Sequence, residues 1–238
     1  MGNVLVLWDV DHTLIDAGGG STFLYGVVFR ELFGRDLPGV APMAGRTDRA
    51  IVRDTMERAG IGDPSQHVEA FLAGLAAHAP GLSAVVAQRG RVLPGAAAAV
   101  AAVADRAPVP AVQSVLTGNI RPLAEAKLGA LGLTGHLDFD IGAYGDHHEI
   151  RAELVHLARR NAARGYGQDF AGQAAVVIGD TPLDVAAAQA AGARSVGVAT
   201  GASSAADLAA AGADAVLADL TDTAAVLAAI LGGRLTRR

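Results

Sequence analysis

The sequence predicts an α/β fold, a Rossmann-like parallel sheet core carrying an inserted small α-helical segment, and two observations predict it. The first is alternation. Short β-rich apolar runs at 4–8, 112–116, 137–141, 175–178, 195–198 and 215–217 end in polar or glycine-containing turns. Between most of them lie alanine- and leucine-rich stretches of helical length, at 122–131, 149–163, 182–191 and 203–211. Strands alternating with helices build a parallel sheet covered on both faces, with ligands at the carboxyl ends of the strands. The second is a gap. The first strand ends near Asp9 and the next convincing one begins near Ala111, too far for a single crossover. Helical patterns at 21–33, 48–59 and 65–79, broken by Gly34, Pro38, Pro42, Gly60, Pro64 and Pro80, fill the interval. The expected organisation is therefore a core of residues 1–16 and 91–238 with a helical cap at 17–90. Gly18, Gly19 and Gly20 on one side and Gly90 on the other suit paired linkers whose backbone rotates, although a plain loop explains the three glycines as well.

Bulk properties narrow the function classes. A formal charge of -5 leaves no basic surplus to neutralise a nucleic-acid backbone, so nucleic acid is not an expected partner. With no cysteine, disulfides, thiolate ligands and thiol nucleophiles are excluded, and a cytoplasmic location is the expectation. The opening run 1–8 lacks a basic leader and meets Asp9 and Asp11 at once, so it reads as a buried strand and not a signal peptide. The apolar run 96–104 falls well short of the roughly 20 residues that span a membrane, so no membrane partner is expected.

Carboxylates mark the strand ends. Asp9 and Asp11 close the first strand in Leu7-Trp8-Asp9-Val10-Asp11-His12-Thr13-Leu14. Side chains two apart on a strand share a face, so both approach one ligand, and a hard divalent cation relieves their repulsion. A second pair follows the run 175–178 in Gly179-Asp180-Thr181-Pro182-Leu183-Asp184. Helix capping by Asp180 or Thr181 with an exposed Asp184 accounts for one acid there but does not require two. Leu116-Thr117-Gly118-Asn119 closes another strand with a hydroxyl and backbone N–H groups suited to phosphate oxygens, or with an ordinary turn.

These motifs, with a lysine in the helix after the threonine, occur in the order of the haloacid dehalogenase-like hydrolase superfamily, and the chain resembles a phosphoglycolate phosphatase-like member with a helical cap. The resemblance implies that Asp9 is the nucleophile, becoming an aspartyl-phosphate, and that Asp11 is the general acid and base. It implies Mg2+ held by the Asp9 carboxylate, the Asp11 backbone carbonyl and Asp180, with Asp184 assisting directly or through water. Thr117, with Gly118 and Asn119, is expected to bind the phosphoryl group. Many relatives place a Lys-Pro pair after the next strand, where this chain reads Gly145-Asp146-His147-His148-Glu149-Ile150-Arg151. Lys127, the only lysine in the chain, matches the alternative position in the helix after Thr117 and is the favoured cation, with Arg151 as substitute.

Asp11 argues for phosphate, because relatives that displace halide usually lack the second aspartate. A small phosphorylated metabolite, such as phosphoglycolate or a sugar phosphate, is the expected substrate. A phosphomutase would use the same core residues. Gly45-Arg46-Thr47-Asp48 resembles a cap element in which Arg46 pairs with a second anionic group of the substrate; a helix start at Thr47 or Asp48 is the rival reading. His147 and His148 are expected on a polar rim with His12 beside the nucleophile, and no zinc site is expected. A non-catalytic phosphate- or nucleotide-binding module is the remaining alternative, opposed by the absence of a glycine-rich dinucleotide or P-loop signature and by the intact acids. Oligomeric state is not readable from the chain.

Overall fold

The computed structural model describes residues 3–107 and 109–232, so residues 1, 2, 108 and 233–238 of the expected core lie outside the described residues. In chain order the elements are β1 (Val4–Trp8), β2 (Ile15–Asp16), α1 (Gly20–Phe33), α2 (Asp48–Arg58), α3 (Val68–Ala77), α4 (Ala79–Arg89), β3 (Arg91–Val92) and α5 (Ala96–Arg106). There follow β4 (Ala111–Val115), α6 (Arg121–Ala130), α7 (Arg151–Tyr166), β5 (Ala175–Gly179), α8 (Pro182–Ala190), β6 (Arg194–Val198), α9 (Ala205–Ala210), β7 (Ala215–Leu217) and α10 (Thr223–Leu231).

Five strands form one parallel sheet in the order β4-β1-β5-β6-β7. Helices cover both faces, and strand alternation shows how. Val4, Val6 and Trp8 point into one apolar cluster, Leu5 and Leu7 into the other. The Trp8 indole is satisfied where it is buried: its Nε1 donates to Gln113 Oε1 at 3.0 Å, and Gln113 Nε2 donates to Val100 O at 3.0 Å.

The order of strands positions the site. Trp8 lies opposite Val115 on one side and Ile178 on the other. The residues just past those three, from Asp9 to Thr117 and Asp180, therefore emerge together at the carboxyl edge. The chain leaves β1 through β2 and returns through β3, and these two short strands pair antiparallel, Ile15 with Val92 and Asp16 with Arg91. Helices α1 to α4 lie between them. Gly18 and Gly19 take φ of 66° and 80°.

Two expectations about elements change, and one element is added. The run 137–141 is not a strand but a 3-10 turn at Phe139–Ile141, because Asp138 accepts a hydrogen bond from Asp140 N and caps it; the stretch is tied to β4 by Asp138, whose N donates to Gln113 O at 2.9 Å and whose O accepts from Ser114 Oγ, and an isolated bridge joins Leu116 to Ala143 just beyond it. The helical pattern at 65–79 is a 3-10 turn at Pro64–Gln66 followed by α3, and a further helix, α4, runs beyond it from Ala79 to Arg89. Pro80 opens α4 in its first turn, where a missing N–H is harmless, instead of ending a helix. Helix α10 closes the sheet beside β7, an element whose alanine-rich sequence gives little signal.

Among the described residues no single helix is long and apolar enough to cross a membrane. The bent pair α3 and α4 reaches that length and apolarity only when joined, and its apolar residues Phe71, Leu75, Leu82 and Val86 are buried in the protein's own core.

Candidate active site

A cavity of about 250 Å³ opens at the carboxyl edge of β4, β1 and β5, lined among others by Asp9, Asp11, Thr117, Gly118, Asn119, Lys127, Arg151 and Asp180, with Arg46 and Asp48 from the helical segment. Asp9 directly follows β1, which lies between β4 and β5, and is held by its backbone N–H donating to Ile178 O at 2.8 Å. Asp9, Asp180 and Asp184 are all buried and offer one carboxylate oxygen each, all within 4.8 Å of one another. Three hard oxygen donors in this arrangement suit a divalent cation such as magnesium.

Arg151 stands in the midst of this cluster. Its Nη2 donates to Asp9 Oδ1 at 2.8 Å and to Leu116 O at 3.2 Å, and lies 2.6 Å from Asp184 Oδ1. The last contact is an ion pair without hydrogen-bond geometry: among the described residues Asp184 Oδ1 accepts no hydrogen bond and Arg151 Nε donates none. One guanidinium does not offset three buried carboxylates. Burial, opposed by Arg151 and reinforced by Asp184 and Asp180, pushes Asp9 up to about 8. Burial and Asp184 likewise push Asp180 up to about 7, against the smaller opposing influences of Arg151 and a 3.4 Å hydrogen bond from Thr13 Oγ1. The cluster thus calls for more positive charge than the chain supplies, which is a second reason that a cation fits.

Asp184 does two things at once. Thr181 caps α8 by accepting from Asp184 N, while Asp184 Oδ2 accepts from Thr181 N at 3.1 Å and Thr181 Oγ1 at 2.6 Å, a complete capping box. Its other oxygen faces Arg151. Capping is real here, but Asp184 is buried, not exposed as the capping account supposed. Gly201 backs the site from the other side. A Cβ at that position would collide with Asp180 Oδ2, so the β6–α9 loop approaches the carboxylate only with glycine there.

Asp11 has a separate environment. Its Oδ2 accepts from Lys127 Nζ at 2.7 Å and from Asn119 Nδ2 at 2.7 Å, and Asn119 Oδ1 accepts from Lys127 Nζ at 2.7 Å. Burial acts upward most strongly on Asp11, but the Lys127 charge and the hydrogen bonds from Lys127 and Asn119 together outweigh it and hold the carboxyl below its ordinary value. Lys127 is only 1% exposed, so the lone lysine is no surface residue. The choice between Lys127 and Arg151 resolves into two positions: Arg151 on Asp9, Lys127 on Asp11. Thr117 Oγ1 accepts from Asn119 N at 3.2 Å and from Asn119 Nδ2 at 2.8 Å. With both acceptor sites used, the hydroxyl proton is left to donate into the cavity.

Helix α2 is fastened to these loops by its amino end. Thr47 is its N-cap, accepting from Ala50 N, so the helix-start reading of the Gly45–Asp48 stretch holds. Asp48 N donates to Gly118 O at 2.6 Å, and a Cβ on Gly118 would strike Arg46 O, so glycine is what allows this approach. Asp48 Oδ1 accepts from Tyr25 Oη at 2.6 Å and Oδ2 from Ile120 N at 2.8 Å, a buried tie between α1, α2 and the phosphate-loop candidate. Sequence reasoning missed this role of Asp48, for its partners lie 23 and 72 residues away. Arg46 lines the cavity, but its guanidinium is held by Pro42 O, Ala50 O and Asp54. His12 lines the cavity as well, whereas His147 and His148 accept from Tyr144 N and Ile150 N and shape their own loop.

Acids and cations gathered beyond the carboxyl ends of a doubly covered parallel sheet define an α/β enzyme core. A family model described as haloacid dehalogenase-like hydrolase matches residues 6–189, and the chain belongs to that family. No curated protein matches the chain closely. Similar solved structures include a predicted phosphatase from Clostridium acetobutylicum, at 19% identity and a TM-score of 0.67 over 95% of this chain and 99% of that one. A candidate beta-phosphoglucomutase from Bacteroides vulgatus superposes with a TM-score of 0.65 at 18% identity, covering 97% and 90% of the two chains. A haloacid dehalogenase-like family hydrolase from Streptococcus pneumoniae gives 0.63 at 16% identity, covering 94% and 97%. At such identities these likenesses establish the fold.

Proposed function

We propose that this protein is a magnesium-dependent phosphatase that hydrolyses a small phosphate monoester, of the phosphoglycolate or sugar phosphate kind, through an aspartyl-phosphate on Asp9. The observation that carries this reading is the pairing of two carboxylates with two different buried cations in one cavity, Asp9 with Arg151 and Asp11 with Lys127.

Arg151 holds Asp9 Oδ1 and leaves Oδ2 to attack phosphorus. As the phosphorus–ester oxygen bond breaks, the leaving oxygen takes a proton from Asp11 and departs as the alcohol. Water then attacks the aspartyl-phosphate, gives its proton to Asp11, and regenerates Asp9 with release of inorganic phosphate. Lys127 keeps Asp11 ionised in the resting site, the form that serves as base. An arriving phosphate dianion raises the affinity of Asp11 for the proton needed in the first step. The Thr117 hydroxyl and the Arg151 guanidinium donate to the transferring group's oxygens. Asp9, Asp180 and the Asp11 backbone carbonyl would hold magnesium, with Asp184 assisting directly or through water, and the bound ion would supply charge that offsets repulsion between the anionic nucleophile and phosphate. The helices of residues 17–90 act as the cap that closes the cavity and shapes the space for the alcohol.

The test is phosphate release from a panel of monoesters, with and without magnesium, by the wild type and Asp9→Asn. Magnesium-dependent release that vanishes in the folded variant supports the reading. Transfer of the phosphoryl group to a second sugar without release would make the protein a mutase instead.

A further inference from the structure

The cavity's charge arrangement narrows the substrate further, and this step rests on the phosphatase reading above. Beyond the acids at its floor, the wall is formed by Asp16, Ala17, Ser21, Thr22, Met43 and Ile51. Hydroxyls and small apolar groups dominate it. Asp16 there pairs with Arg91 at 2.7 Å and accepts from Gly18 N at 3.0 Å, while Asp48, which also lines the cavity, is held by Tyr25 Oη and Ile120 N.

A substrate bearing a second anionic group would need a cation on that wall. Among the described residues lining the cavity the lysine and arginine side chains are Lys127, Arg151 and Arg46. The first two are engaged by the floor carboxylates. Arg46 lines the cavity from the helical segment, but Asp54 on α2 takes its Nη1 at 3.0 Å, while Pro42 O and Ala50 O accept from the same guanidinium. Asp54 is itself braced by Arg58 Nε at 2.9 Å. The pair Arg46–Asp54 is about three-quarters buried on both sides, with 26% and 25% exposure, so Asp54, which Arg58 shares from the exposed side, counters Arg46 and holds its guanidinium in place.

We infer that Asp54 is a positioning residue for specificity: by holding and countering Arg46 it selects, of the two substrate kinds proposed above, monoesters of small uncharged hydroxylated alcohols such as sugars, and turns away phosphoglycolate and other esters whose alcohol carries a carboxylate or a second phosphate. The imidazole of His12, at the cavity's edge, serves such hydroxyls as donor or acceptor.

The experiment uses two probes of closely similar size, 2-hydroxyethyl phosphate and 2-phosphoglycolate, which differ by a hydroxymethyl group against a carboxylate. The wild-type protein with magnesium turns over hydroxyethyl phosphate with a kcat/KM about tenfold or more above that for phosphoglycolate, the scale of one partly screened charge interaction. Asp54→Asn frees Arg46 and moves this ratio about tenfold toward phosphoglycolate, chiefly through KM, while Asp54→Glu restores the wild-type ratio. A purely structural role for Asp54 would lower both substrates together and leave the ratio in place, which overturns the inference. Preference of the wild type for phosphoglycolate overturns it without any variant. Release from neither probe, nor from p-nitrophenyl phosphate, brings down the phosphatase reading and this inference with it; release from p-nitrophenyl phosphate with phosphoglycolate preferred brings down the inference alone.

Discussion

Replacing Arg151 with methionine removes the guanidinium shared by two buried carboxylates while keeping most of the side-chain volume. Arg151 touches Asp9 at 2.8 Å and Asp184 at 2.6 Å, and all three side chains are buried. Breaking a buried ion pair by deleting one partner typically costs about 3–5 kcal/mol, because the other partner is left uncompensated. The pH dependence fixes the sign. Asp9 and Asp180 are raised from the ordinary 3.8 to about 8 and about 7, so the folded protein holds protons that the unfolded chain has released. Between roughly pH 4 and 8 stability therefore falls as pH rises, by about 1.4 kcal/mol per pH unit for each extra proton held. Arg151 opposes the rise on both groups, so its removal extends the window upward. The loss in Arg151→Met should be greatest near pH 8 and smaller near pH 6, where the carboxylates take up protons and need less counter-charge. Urea unfolding of both proteins at the two pH values, with and without millimolar magnesium, measures it; magnesium should recover more of the loss at the higher pH. A loss under about 1 kcal/mol near pH 8, or one that grows on acidification, would refute the electrostatic account.

Lys127→Met should remove the largest influence that opposes burial on Asp11, leaving the Asn119 hydrogen bond and His12, and so raise its carboxyl, move the acidic limb of the pH–rate profile upward and lower kcat roughly 100-fold, as read from kcat/KM and kcat against pH. Tyr25→Phe removes the 2.6 Å hydrogen bond to Asp48 and should destabilise the protein by about 1.5–3 kcal/mol in urea unfolding, the range for a buried bond to a charged acceptor. An unchanged midpoint would show that the α1–α2 tie contributes nothing.

The acids were legible in the sequence because strand ends are. A β-rich run followed at once by Asp9 or Asp180 places the carboxylate at the sheet's carboxyl edge whatever the rest of the chain does. The strand order then brings those ends together, and the unbroken apolar run of β1 marks a strand covered on both faces. What did not show was partnership across distance. Lys127 and Arg151 compete for one role on paper, yet helices α6 and α7 bring them to different carboxylates, 116 and 142 residues away in sequence. Arg46 reads as a substrate ligand until its neighbour one helical stretch later, Asp54, is seen to hold it. Asp48 resembles any acid in a first helical turn, and only its fit between Tyr25 and Ile120 N shows otherwise. The 137–141 run failed for a local reason, since Asp138 turns a β-rich stretch into a capped 3-10 turn.

The most direct measurement is covalent. Turnover of a hydrolysed monoester is quenched rapidly in acid, and the peptide containing Asp9 is weighed by mass spectrometry. The account predicts one phosphoryl group on that peptide, located at Asp9 and absent from Asp9→Asn. A phosphoryl group on another residue, or turnover with none on the chain, would contradict it.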